Sequence, residues 1–146
     1  MKALDLLLEQ AGKKEQDASG HLSQARQQLS MHEAQMERIH EYRYDYCQQM
    51  SQRGCAGLNA SEYHHLQQFI GHLDQNLVKQ NYARRTFEEQ ADRARELWLD
   101  AKQKRKSLEM LVERREKQKQ QKAAREEQKL NDEMAAQLLR RLQTQR

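Results

Sequence analysis

The feature that most constrains this chain is a seven-residue apolar repeat that continues, without a proline, through its first fifty residues. In a heptad written abcdefg, eleven of the fourteen a and d positions in this stretch are apolar or aromatic. The a positions are Leu8, Glu15, Leu22, Leu29, Met36, Arg43 and Met50, and the d positions are Leu4, Ala11, Ala18, Ala25, His32, Ile39 and Tyr46. Apolar a and d positions sustained over this many heptads are typical of a coiled coil. The repeat predicts a first helix over residues 3–52.

A glycine-containing break separates this repeat from a second one. Gly54 and Gly57 fall within four residues, and either suits a helix C-terminus that turns through positive φ. Asn59 follows as a predicted N-cap, with Glu62 three residues later as in a capping box. The second repeat has a positions Leu66, Leu73, Gln80, Phe87, Ala94, Ala101 and Leu108, and d positions Phe69, Asn76, Ala83, Gln90, Leu97, Lys104 and Leu111. We therefore predict a turn over 53–59 and a second helix over 60–112.

Two long amphipathic helices joined by a short turn are expected to be antiparallel neighbours. The predicted fold class is all-α, an antiparallel two-helix coiled-coil hairpin over residues 1–112. The turn position places Leu4 beside Leu108, Ala25 beside Phe87 and Ile39 beside Leu73. Only 36% of the residues are apolar and 33% are charged, which fits helices that bury one narrow stripe.

The last part of the chain, residues 113–146, differs in charge and in pattern. It carries 10 Lys+Arg and 6 Asp+Glu, whereas residues 1–112 carry 16 of each. Apolar residues recur in it every four positions at Leu130, Met134, Leu138 and Leu142. This pattern predicts a basic helical C-terminal extension. Two interpretations stay open: a segment that is partly disordered alone, or a helix that is completed by a partner.

The sequence contains little that indicates catalysis. We predict no catalytic residue, no cofactor site and no metal site, because phosphate loops, nucleophile motifs and dinucleotide fingerprints are missing. Glu37–His40 and Glu62–His65 have the Glu-x-x-His spacing of di-iron bundles, but such bundles need four converging helices. Cys47 and Cys55 are expected to be free thiols. No apolar run is long enough for a membrane span and no signal peptide is recognisable, so we expect an intracellular protein.

Aromatic residues are concentrated toward the predicted turn. Tyr42, Tyr44 and Tyr46 lie within five residues, and Tyr63 and Phe69 follow across the turn. Tyr42 and Tyr44 take g and b positions, so the hairpin does not need them for its core. Exposed aromatics that a two-helix core leaves unburied are typical of protein interfaces. The alternative is that these rings only thicken a narrow core.

Two strings in this region resemble the FliJ family of flagellar type III export. Gln35-Met-Glu-Arg-Ile-His-Glu-Tyr-Arg-Tyr-Asp-Tyr46 is similar to the family's first-helix stretch, and Gln67-Gln-Phe-Ile-Gly-His-Leu73 to its second-helix stretch. The resemblance implies a small cytoplasmic two-helix coiled coil. Carried over by position, the family's protein-binding patch falls on the following residues: Gln35, Ile39, Tyr42, Tyr46, Phe69 and Leu73. Asn76 and Gln80 depart from the family pattern at the lower end of this patch.

The resemblance also implies a function. Family members resemble the central stalk of rotary ATPases and act with the hexameric flagellar export ATPase, the cytoplasmic domain of the export gate and export chaperones, at the cytoplasmic face of the membrane at the flagellar base. Such a role needs no enzyme activity. Two alternatives remain at this point: a generic coiled-coil scaffold or chaperone hairpin, and a nucleic-acid-binding rod that uses the basic helix. The second is less favoured, because six acidic residues are interleaved in that helix and it lacks aromatics for base stacking.

Overall fold

The computed structural model describes residues 2–145, apart from the side chains of residues 55 and 56. Two α-helices account for almost all of this range: α1 spans Lys2–Ala56 and α2 spans Ala60–Thr144. No strand occurs in the part of the chain that is described. The fold is all-α, with two long helices packed against each other as a coiled-coil hairpin, as the heptads predicted.

The turn between the helices is shorter than predicted, because α1 continues through Gly54 to Ala56. Gly57 has a φ of 95°, and the amide of Leu58 donates a hydrogen bond to the carbonyl of Arg53 at 3.1 Å. This is the Schellman arrangement, in which a left-handed glycine ends a helix. Of the two candidate glycines, Gly57 alone takes the terminating role. The predicted turn over 53–59 is thereby corrected to residues 57–59.

Helix α2 begins with the predicted cap. The side-chain oxygen of Asn59 accepts a hydrogen bond from the amide of Glu62 at 2.8 Å, and the amide of Tyr63 donates to the carbonyl of Asn59 at 3.1 Å. An asparagine at this position satisfies an amide that the first turn of a helix leaves unpaired. The cap and the Schellman glycine together define both edges of the three-residue turn.

The heptad frame predicted for α1 is confirmed. All fourteen of its a and d positions are buried or half-buried. The most buried side chains of the helix belong to this set, namely Ala11, Leu22, His32 and Met36. The pattern of apolar residues in α1 therefore identifies its packed face.

The frame predicted for α2 is half wrong. Its a positions are all half-buried, but six of the seven residues assigned to d are exposed, among them Phe69, Leu97 and Leu111. The packed residues lie one position further along the chain. They are Ile70, Leu77, Arg84, Ala91, Trp98, Arg105 and Val112. From each predicted a position, the next packed residue of α2 lies four positions along the chain, and the one after it lies three further. The predicted frame has the opposite order, three positions and then four.

Two arginines in the packed face explain why the sequence concealed this frame. Arg84 and Arg105 occupy core positions of α2. Because a coiled-coil core is expected to be apolar, charged residues at these positions make this row look like an exposed one. Long cationic side chains can cover apolar surface with their methylene groups while the charged end reaches outward. Arg105 does so with an ion pair to Glu109 at 2.7 Å, and the Nε of Arg84 lies 3.5 Å from Glu88. Both acidic partners are four residues further on, where the next helical turn presents them.

The helices divide into two compact units. The first, Lys14–Ala101, contains the turn and the adjoining parts of both helices. In its core, the ring of His32 lies 5.0 Å from that of Phe87. The Nε2 of His32 also donates a hydrogen bond to the backbone carbonyl of Gln80 at 2.8 Å. These contacts fix the antiparallel register of the helices in this unit.

The second unit comprises Met1–Lys13 and Lys102–Arg146. Leu4 of α1 and Val112 of α2 line one groove in it. Beyond Val112, α2 continues as a helix to Thr144, and every residue from 113 to 145 is exposed. The basic extension is thus a continuation of α2 whose described residues are all exposed, and its first turns, at Arg115 and Lys119, border the groove beside Leu4.

Candidate protein-binding site

The candidate site is built around one aromatic pair that joins the two helices near the turn. The rings of Tyr46 on α1 and Phe69 on α2 have centroids 4.5 Å apart and planes inclined at 49°. Such a tilted contact is a favourable geometry for aromatic rings. Tyr46 occupies a d position and is half-buried, whereas Phe69 lies just outside the packed face and is 42% exposed.

Tyr42 extends this pair along the surface. In the corrected frame Tyr42 and Phe69 both occupy g positions, and the g positions of two antiparallel helices flank the same side of their core. Tyr42 is 57% exposed. The side of the hairpin that carries these two residues, here called the aromatic flank, therefore presents two large rings to solvent.

The remaining predicted patch residues divide between this flank and the core. Gln35 takes a g position two turns from Tyr42 and is exposed, whereas Ile39 and Leu73 are half-buried in the packed face. A partner on the aromatic flank would therefore meet Gln35, Tyr42 and Phe69 first. The half-buried residues that lie beneath them are Ile39, Tyr46 and Leu73.

An ion pair connects the helices beside the site. The guanidinium of Arg43 donates a hydrogen bond to the carboxylate of Asp74, and this bond raises the pKa of Arg43 above its ordinary value. Asp74 is an e position of α2, on the side of the core opposite the aromatic flank. Since the pair is about half exposed, water screens it and its contribution to stability is small. It links the two helices without occupying the aromatic flank.

Sequence reasoning missed a groove further along the same unit. This open groove of about 420 Å³ is lined by Ala18, Ala94, Leu97 and Ala101 among others. It forms because alanines leave room in the packed face while Leu97, a g residue, is 59% exposed beside them. The error in the α2 frame concealed it, because Leu97 was assigned to the core. The signal was the row of alanines at core positions.

The second predicted set of residues lies in the extension. Leu130, Met134, Leu138 and Leu142 are all exposed, with values between 56% and 62%. Leu139 beside them is equally exposed at 61%. The structure thus places this apolar stripe on a helix without covering it.

The described residues contain no group of three or more His, Cys, Asp or Glu side chains placed to hold a metal ion. Within the same range, neither helix has an apolar stretch of the length that crossing a bilayer requires.

These observations define a class of protein: an all-α coiled-coil hairpin that exposes aromatic side chains on one flank near its turn and an apolar stripe on a C-terminal helical extension. The family model that describes the flagellar FliJ protein matches residues 1–144 of the chain. The chain belongs to the FliJ family and is a flagellar export-related protein. Neither a curated protein nor a solved structure gives a significant match.

Proposed function

We propose that this protein is a non-enzymatic, cytoplasmic component of the flagellar export apparatus that binds two kinds of partner through separate parts of the chain. The aromatic flank near the turn binds the cytoplasmic domain of the export gate and export chaperones. The helical extension binds the hexameric export ATPase, in the manner of a central stalk. In this role the protein associates peripherally with the cytoplasmic face of the membrane at the flagellar base.

The observation that carries the proposal is the exposure of Tyr42 and Phe69 on one flank, supplied by two different helices. Large aromatic side chains are favourable anchors at protein interfaces, because they bury much surface and lose little conformational freedom. Tyr46 holds Phe69 in place through the ring contact. The flank is thus partly preorganised, which lowers the entropic cost of binding.

The extension supports the second half of the proposal. Its residues from 113 to 145 are exposed throughout, and the segment carries an excess of four positive charges. An exposed basic helix suits the interior of a ring that presents acidic side chains, since opposite charges speed association and orient the partners. Membership of the FliJ family favours the export ATPase as that ring.

Binding of the purified gate cytoplasmic domain tests the aromatic flank. We expect the double variant Tyr42→Ala/Phe69→Ala to weaken the affinity at least about 30-fold, the effect of losing a hot spot worth about 2 kcal/mol. Isothermal titration calorimetry measures the change. Tyr44→Ala is the matched control, because Tyr44 is a neighbouring exposed tyrosine at a b position.

Two results would contradict this assignment. One is full affinity in the double variant with its helical content preserved. The other is an equal loss in the Tyr44→Ala control, which would mean that the binding surface is not confined to the aromatic flank.

A further inference from the structure

The apolar stripe of the extension has a geometry that limits what can cover it. Leu130, Met134, Leu138 and Leu142 are spaced by four residues, which is longer than one helical turn, so the stripe rotates around the helix by about 40° per step. Rows with this spacing pack against other helices at a crossing angle and not as a long coiled coil. The stripe therefore fits a short contact with a single crossing helix.

The charges beside the stripe are arranged with opposite signs at its two ends. Glu127 lies seven residues before Met134 and Arg141 lies seven residues after it. Two helical turns separate each charge from Met134, so all three side chains lie close to one face. All three belong to the exposed part of α2. The face thus has an acidic end, an apolar centre and a basic end.

Such a face is complementary to itself when a second copy is reversed. In an antiparallel pair centred on Met134, Leu130 lies opposite Leu138 of the other copy, and Glu127 lies opposite Arg141. A twofold axis makes every such contact occur twice, which is the usual symmetry of a homodimer. A parallel pair would instead place like charges together, which is unfavourable.

We infer that the extension pairs with the same segment of a second copy of this chain, antiparallel and centred on Met134. The contact buries a few large side chains from each copy, an area below the ~1,200 Å² of small specific interfaces. The dimer is therefore weak and dissociates on dilution. Pairing covers Leu130, Met134 and Leu138 while the protein is free, and a partner that binds the extension competes with it.

Charge reversal in the full-length chain tests the pairing and its direction. Sedimentation equilibrium over a concentration series is expected to show a reversible monomer–dimer equilibrium for the unmodified chain. Glu127→Arg alone and Arg141→Glu alone are each expected to weaken association about tenfold or more, because like charges then meet twice. A mixture of the two variants restores association, since each heterodimer contains two attractive pairs.

A cysteine at the twofold axis tests the register. In a Cys47→Ser/Cys55→Ser background, Met134→Cys is expected to form an intermolecular disulfide rapidly under mild oxidation. Met110→Cys is the matched control, because Met110 is equally exposed at 60% but lies outside the extension. Both cysteines replace an exposed methionine on α2, so a faster reaction at position 134 reports proximity.

The inference is overturned if the unmodified chain stays monomeric up to about 1 mM, well above the concentrations at which a weak specific dimer forms. It is also overturned if the two charge variants associate as well alone as when mixed, or if positions 134 and 110 cross-link equally fast. These measurements use the chain by itself. A negative result would therefore rule out the pairing of two copies and would leave the proposed contact with the ATPase to be tested separately.

Discussion

At the scale of single residues, the most informative side chain is His32. It is a polar residue at a d position, 8% exposed, whose ring contacts Phe87 and whose Nε2 donates to the carbonyl of Gln80. A buried polar group at a core position favours the one register in which its hydrogen bond forms. His32 therefore specifies how α1 and α2 align within the unit that carries the aromatic flank.

Replacing His32 tests this role. We expect His32→Ala to lower the free energy of unfolding by about 1–3 kcal/mol, since it removes a ring contact and a hydrogen bond and leaves a void. His40→Ala, at an exposed position, is expected to change it by less than about 0.5 kcal/mol. Thermal and urea unfolding followed by circular dichroism measure both variants. Equal stability of the two would show that His32 makes no net contribution to the core.

At the scale of elements, the two helices differ in how far the sequence defines them. The a and d positions of α1 contain only three residues that are not apolar or aromatic, and its predicted frame is correct. In α2 either of two rows of residues could complete the packed face beside the predicted a positions. Both rows mix apolar and polar residues. Phe69, Leu97 and Leu111 occur in one row, and Ile70, Leu77 and Trp98 in the other. Polarity barely distinguishes these rows, so packing against α1 decides between them.

A matched pair of leucines tests the corrected frame of α2. Leu77→Ala removes a half-buried core side chain, and we expect it to reduce the free energy of unfolding by about 1–2 kcal/mol. Leu97→Ala removes an exposed side chain and is expected to change it by less than about 0.5 kcal/mol. Both variants remove the same atoms, so a difference between their free energies of unfolding in urea reports the difference in burial. The opposite order of stabilities would restore the frame predicted from the sequence.

The candidate site, like the packed face of α2, was only partly predictable from the sequence. The spacing of Tyr42 and Tyr46, together with the family resemblance, placed a patch near the turn. The sequence did not show which residues of the patch are exposed and which are half-buried beneath them, because this depends on the frame of α2. Phe69 belongs to both the predicted core and the predicted patch, and its exposure follows once Ile70 takes the core position. The groove beside Leu97 was missed for the same reason.

The extension provides a further prediction at this scale. All residues from 113 to 145 are exposed, so a truncation after Val112 is expected to leave the midpoint of thermal unfolding within about 2–3 °C of the full-length value. The total helical signal should fall roughly in proportion to the residues removed. Circular dichroism measures both quantities. A large drop in the midpoint would mean that the extension contributes to the core.

At the scale of the whole molecule, the proposed function assigns two binding surfaces to separate parts of one chain. The aromatic flank belongs to the unit Lys14–Ala101, and the extension belongs to the other unit. Because every described residue of the extension is exposed, we expect its removal to leave the aromatic flank intact. A change in one function is therefore expected without a change in the other.

Stimulation of ATP hydrolysis by the cognate flagellar export ATPase tests this separation most directly. The full-length chain, the truncation after Val112 and the double variant Tyr42→Ala/Phe69→Ala are compared at equal concentrations. We expect the truncated chain to lose the stimulation and the double variant to retain it. Normal stimulation by the truncated chain, or its loss in a folded double variant, would contradict the assignment of the extension to the ATPase.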